Sequence, residues 1–350
     1  MYKNHKVICC TAAGRRRYMQ YLFPYIVSEE LVDRYDIWVN TTDNCDIEFF
    51  RMMAAKYPKV NLVWQPDNIV NGIASINKFY TLCQDEDAIY IKIDDDVVWM
   101  EPDIFKKVLA FRVDNPDALL VSPMVVNNAI CSYLWQVTGK MGFGKYMNAL
   151  SNHRILWKRG EFSLALHQWF LDKLNNDYDS CRKLYIGRRP IACNRFSINF
   201  ILWFGRDFAT FKGEVLDDDE EYLSVIKPAQ MGRINLFDGD SLISHFAFRS
   251  QREILDDANI LEQYGDFLAI EFAKDPAKAG IFSYVKTCLD DIERRKTEIT
   301  AQPCPYPILP QKKGSIAKTL FKKYQKRIRR FVERNTVYTI NDYTNGGITK

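Results

Sequence analysis

Between Lys6 and Pro123, short apolar runs rich in β-branched residues alternate with stretches of helical spacing, and few folds accept that alternation. The runs KVICCT (6–11), YDIWVN (35–40), VNLVWQ (60–65), AIYIKI (88–93) and ALLVSP (118–123) read as strands. The segments 15–32, 46–58, 72–84 and 102–116 between them read as helices, with Pro24 expected to kink or break the first. Strands separated by helices of about a dozen residues imply βαβ units, so the spacing predicts an α/β fold with a mainly parallel central sheet flanked by helices.

The pattern loosens beyond residue 126. A helix is expected over 161–174, a basic turn at IGRRP (186–190), strands over 195–205 and 241–248, and helices across 250–298. The chain therefore divides into a body over 1–250 with an irregular or helical insertion at 127–195, and a helical extension over 251–300. A Pro-rich linker (301–311), a basic segment (312–334) and a polar tail (335–350) follow. With 350 residues, 47% of them hydrophobic, there is ample material for a core.

The net charge of +4 is unevenly placed: residues 312–334 hold ten Lys/Arg and one acid, which makes that segment +9 and the remainder −5. A general nucleic-acid-binding surface is thereby disfavoured. Within the segment Ile316, Leu320, Phe321, Tyr324, Ile328, Phe331 and Val332 recur at three- and four-residue spacing. That is the pattern of a basic amphipathic helix on an anionic membrane surface, the alternative being a basic helix packed on the acidic body. The nine cysteines are odd in number, form no Cys-x-x-Cys pair and sit largely in apolar runs, which predicts reduced thiols in a cytoplasmic protein, peripheral on the inner face of the membrane at most. No signal-peptide pattern and no run of about 18 apolar residues is present.

Chemistry concentrates in three places. The run IYIKIDDDVVWM (89–100) ends an apolar strand in Asp94, Asp95 and Asp96, three like charges whose ionisation a cation would offset. The carboxyl end of a parallel strand is where ligands bind in open α/β sheets, and Mn²⁺ or Mg²⁺ prefers carboxylate oxygens. The competing reading is a solvated acidic loop. GEVLDDDEEYLS holds Glu214, Asp217, Asp218, Asp219, Glu220 and Glu221, able to supply a general base or simply to begin a helix, where acids favour the dipole. His245, in ISHFAF, follows a strand-like run and is either a core histidine or a ligand.

In order along residues 5–250, CTAAGRRRYM, WVNTTD, NGIASINKFY, IKIDDDV, DDDEEYL and SHFAF together resemble a nucleotide-sugar glycosyltransferase of the GT-A fold, similar to bacterial family-2-like enzymes that build surface polysaccharide. The resemblance implies a Rossmann-like GT-A body, a Mn²⁺ or Mg²⁺ ion and a nucleoside-diphosphate sugar donor, UDP by family habit. It implies transfer to a saccharide or lipid-linked acceptor. Asp96 would ligate the metal, Asp94 would contact metal or ribose, and His245 would be a third ligand or a diphosphate contact. Thr11, Gly14, Arg15, Asn40, Asp43, Asn71, Lys78 and Asp95 would line the nucleotide. Asp219 is the favoured base, then Glu220 and Asp218, in an inverting single displacement. Trp135, Trp157, Trp169, Arg188 and Arg189 of the insertion are candidate acceptor contacts. Two rival readings stand beside this one: a sugar nucleotidyltransferase, although the first turn has only Gly14, and a non-catalytic carbohydrate- or membrane-binding protein.

Overall fold

The computed structural model describes residues 1–176, 178–307 and 338–343. The segment 312–334 read as a basic helix lies outside the described residues, as do 308–311 of the linker and most of the tail.

The first half of the chain runs β1 (Lys6–Ala13), α1 (Arg16–Ser28), β2 (Arg34–Val39), α2 (Asn44–Lys56), β3 (Val60–Trp64), α3 (Asn77–Tyr80), β4 (Ala88–Ile93), β5 (Val97–Met100), α4 (Ile104–Asp114) and β6 (Ala118–Val126). The insertion adds α5 (Ala129–Val137), β7 (Met141–Gly142), α6 (Gly160–Asn176) and β8 (Arg189–Ala192). Then come β9 (Phe200–Phe204), α7 (Gly205–Ala209), α8 (Asp219–Glu221), α9 (Lys227–Gln230) and β10 (Ile234–His245). The extension is α10 (Arg252–Asp257), α11 (Ile260–Ala273), α12 (Pro276–Arg294) and α13 (Lys296–Ala301), and β11 (Asn341–Asp342) pairs with β7.

The main sheet has the order β3-β2-β1-β4-β9-β6-β10-β5, with β8 against β10. Its first four strands are parallel, the Rossmann-like half expected from βαβ alternation. Beyond β4 the sheet is mixed: β9 is antiparallel to β4 and β6, β10 is parallel to β6, and β5 and β8 are antiparallel to β10. Every residue of β4, β6 and β9 is buried, because helices cover both faces of the sheet centre. The extension packs back on the body, α12 against α1 and α2, and α11 against α6.

Four local expectations changed. α1 continues through Pro24. The helix read over 72–84 is a 3₁₀ turn at Gly72–Ser75 and the single turn of α3, because the Ser75 hydroxyl engages Asn40, the Gly72 carbonyl and the Asn71 amide in place of a continuous backbone ladder. The strand read over 195–205 is paired only from Phe200 to Phe204, and the one read over 241–248 begins earlier, at Ile234.

The nine cysteines form no disulfide, and seven are buried. No helix among the described residues is long and apolar enough to cross a membrane.

Candidate active site at the carboxyl ends of the strands

The chain leaves β1 at Gly14, β4 at Asp94 and β10 at His245, so one rim of the sheet gathers all three motifs. Each aspartate of the triplet has a different environment. Asp94 is partly exposed; Lys92 Nζ donates to its Oδ1 at 2.6 Å and Asn199 Nδ2 to its Oδ2 at 3.1 Å. Asp95 is buried and accepts from the Gly14 amide at 3.1 Å and from both ends of the Arg15 guanidinium, so it fixes the β1–α1 turn. A side chain at Gly14 would be crowded there, since a Cβ would stand 3.2 Å from the Asn40 carbonyl oxygen. Asp96 is buried between His245 Nε2, 3.2 Å from Oδ1, and the Arg15 and Arg252 guanidiniums, 3.0 and 3.4 Å from Oδ2.

The repulsion inferred from the sequence is thus offset by the protein's own Lys92, Arg15 and Arg252. Burial works against the ionised form of Asp96, but Arg15 first, then His245 and Arg252, outweigh it and hold the carboxyl well below its ordinary range. For Asp95 burial prevails over Arg15 and raises the pKa.

One oxygen each of Asp94 and Asp96 and one nitrogen of His245 lie within 4.8 Å of one another. An octahedral ion with bonds of about 2.1 Å places its ligand atoms roughly 3 to 4.2 Å apart, so little closure is needed. Two carboxylates and an imidazole suit Mn²⁺ well and Mg²⁺ acceptably. His245 Nδ1 is buried without a hydrogen-bond partner, and Asp96 Oδ1 is free of the arginines, which leaves this corner with unused coordinating capacity. The residues fit a divalent cation.

The acidic run 217–221 splits into two roles. Arg195 spans Asp218 (2.8 Å), Glu220 (2.8 Å) and Glu221 (3.0 Å), and Asp218 also caps α8 by accepting from the Glu221 amide. Asp219 alone turns inward, buried, accepting from the Tyr80 hydroxyl at 3.1 Å. Its pKa is raised, by burial above all and by Asp94, against the opposing pull of Lys92 and the Tyr80 hydrogen bond. Lys92 couples the two acids: burial disfavours its charge, and Asp94 and Asp219 more than restore it.

Other predicted residues fall less centrally. Asn40 and Asn71 meet at Ser75 on the same rim, Asp43 caps α2, and Lys78 faces Asp67 at 3.6 Å on the surface. Thr11 is fully buried against the Tyr35 hydroxyl and lines no open surface, a correction to its reading as a nucleotide contact. Trp135 is likewise a core residue, with no exposed surface and its Nε1 donating to the Leu184 carbonyl. Arg189 pairs with Phe237 near the start of β10, eight residues before His245, and Arg188 binds Asn115. A bulge between Asp238 and Leu242 shortens that span to about five extended residues, roughly 17 Å, so the two arginines sit on the flank of the sheet and not beside the cluster.

The sequence reading missed Lys92, Asn199, Tyr80, Arg195 and Arg252. Only Lys92 carried a signal: a lysine inside an apolar strand needs a buried partner.

No protein-family model matches the sequence, and no curated protein does. Among solved structures the chain is similar to a CMP:2-keto-3-deoxy-manno-octonic acid synthetase complexed with CTP, at 9% identity over 74% of this chain and 98% of that one, with a TM-score of 0.38. It is also similar to a 4-diphosphocytidyl-2C-methyl-D-erythritolsynthase from Anaerococcus prevotii DSM 20548, at 11% identity over 74% and 99% of the two chains, with a TM-score of 0.39. These TM-scores lie below those that mark a shared fold, so the architecture stands on its own strand order and the chemistry on its own residues.

Proposed function

We propose that this chain is a divalent-metal-dependent glycosyltransferase that moves a sugar from a nucleoside-diphosphate donor to a hydroxyl of a saccharide or lipid-linked acceptor. The observation that carries the reading is the convergence of Asp94, Asp96 and His245, with a buried carboxylate, Asp219, close enough to Lys92 and Asp94 to interact electrostatically with both. A cation held by the first three would offset the charge that gathers on a departing diphosphate. Lys92 and Asn199 fix the direction of Asp94; Arg15 and Arg252 fix that of Asp96. Asp219, with its raised pKa, is suited to take the acceptor's proton as the hydroxyl oxygen bonds to the anomeric carbon and the carbon–phosphate-oxygen bond breaks. Attack opposite the leaving group inverts the anomeric centre.

The second reading is a sugar nucleotidyltransferase. Arg15 favours it, since a guanidinium at the first βα turn beside Asp95 and Asp96 stands where a triphosphate needs positive charge. One set of incubations separates the two. Nucleoside diphosphate released from a nucleotide sugar with Mn²⁺ supports transfer; pyrophosphate released from a nucleoside triphosphate with a sugar 1-phosphate supports the second reading. Binding of metal and nucleotide without either product leaves a non-catalytic binding protein.

A further inference from the structure

The insertion carries a cavity of about 470 Å³ that shares no residue with the Asp94–Asp96–His245 cluster. The described residues around it include Lys145, His153, Arg154 and Arg159, and no acid; Tyr146, Met147, Ile155 and Tyr338 complete its wall. Lys145 and Arg154 are exposed to solvent. His153 Nδ1 accepts from the Ile155 and Leu156 amides at 3.2 and 3.4 Å, which puts the proton of the neutral ring on Nε2 and makes that edge a donor. Lys145, Arg154 and the His153 Nε2–H edge therefore offer two exposed cations and an N–H donor, with no carboxylate among the described lining residues.

The cavity is mechanically joined to the candidate active site. Ser250 Oγ donates to the Trp157 carbonyl and Gln251 Nε2 to the Leu156 carbonyl, at 3.3 and 3.5 Å, so the loop 153–159 is fastened to the segment that carries His245 and Arg252. Ring contacts of 5.8 and 4.7 Å lead from Trp157 through Phe248 to His245. An extended ligand could reach both places.

We propose that this cavity is a subsite for an anionic group, a phosphate or carboxylate, borne by the saccharide acceptor; the word acceptor rests on the transferase reading above. Cationic and N–H donors in a walled cavity recognise an oxyanion by charge-assisted hydrogen bonds, and the tie to His245 makes that oxyanion part of a molecule whose other end meets the donor. Burial first, then Lys145, already holds the His153 imidazole below its ordinary pKa, a strain that a bound anion would relieve.

The test uses the full chain, and His153 is the reporter because the sequence has only four histidines. Its imidazole resonance, assigned with His153→Gln, is followed while inorganic phosphate and then glucose 6-phosphate are titrated. The proposal expects saturable binding that raises the His153 pKa by about one unit. It expects the sugar phosphate to bind more tightly than phosphate, and affinity to fall about tenfold or more in Lys145→Gln/Arg154→Gln. An unmoved His153, or a double variant that binds equally well, overturns it. So does a response to phosphatidylglycerol vesicles with none to the sugar phosphate, which would assign the cavity to a membrane surface. Stabilisation by Mn²⁺ plus nucleotide, measured on the same double variant, should be unchanged. Its absence from the parent protein would count against the transferase reading and leave the anion result to stand separately.

Discussion

Replacing Asp95 by alanine separates the middle aspartate from its neighbours. Two things are lost. The Gly14 amide forfeits an acceptor at 3.1 Å, about 1 kcal/mol. Arg15 loses its bidentate partner, which in a fully buried pair costs about 3–5 kcal/mol. Here the side chain of Arg15 retains 30% exposure, and Asp96 Oδ2 still stands 3.0 Å from Nη2, so screening and a substitute partner reduce that term by roughly half. The expected destabilisation is about 3 kcal/mol for Asp95→Ala. Asp95→Asn should cost about 2 kcal/mol, because its carbonyl can still accept from Gly14 while the charged pair with Arg15 is lost. Urea unfolding followed by tryptophan fluorescence measures both, with the m-value as a check that compactness is unchanged. An alanine variant within 1 kcal/mol of the parent, or an asparagine variant as damaged as alanine, would refute the assignment of Asp95 as the strut of the β1–α1 turn.

Four further outcomes follow from the same geometry. Asp219→Asn should keep metal and nucleotide binding and lose transfer by a hundredfold or more, on the order expected for removing a general base, measured by nucleotide release. His167 is buried, its Nε2–H donating to the Phe246 carbonyl at 2.7 Å and its Nδ1 accepting from Tyr264, and burial lowers its pKa from 6.5 to about 3. The unfolded chain therefore binds the extra proton between those values, so stability is complete above about pH 6.5 and declines as pH falls toward 3; His167→Gln should flatten that slope in a pH series of melts. Gly205→Ala would put a Cβ 1.9 Å from the Asp85 carbonyl oxygen, a backbone clash expected to cost 2 kcal/mol or more and to appear as a lowered melting temperature. Deleting 312–334 should abolish binding to anionic liposomes in a sedimentation assay while leaving transfer to a soluble acceptor intact.

The parallel half of the sheet was legible because βαβ alternation writes itself in hydrophobic periodicity: β1, β2, β3 and β4 all lie within a residue or two of their expected spans. The antiparallel partners were not. β5 is only four residues, and which strand neighbours β9 depends on contacts far apart in sequence that no local pattern carries. The metal-fit triad was legible since its three residues end apolar strands. Its counter-ions were not: Arg252 reaches Asp96 across 156 positions, and nothing in RSQRE marks it. The acidic run divides: Asp218 caps a helix, as one of its two readings expected, while Asp219 faces inward, a difference that no local pattern within five consecutive acids marks. Trp135 shows the opposite failure, where a residue type common in sugar sites serves the core.

The central claim is that Asp94, Asp96 and His245 together hold a divalent cation that in turn holds a nucleoside diphosphate. Titration calorimetry of UDP and GDP into the protein, with and without Mn²⁺, tests it directly when repeated on Asp96→Asn. The account predicts nucleotide binding that requires the metal and weakens at least tenfold in the variant, equivalent to about 1.4 kcal/mol. Binding of equal strength without metal, or in Asp96→Asn, would contradict it.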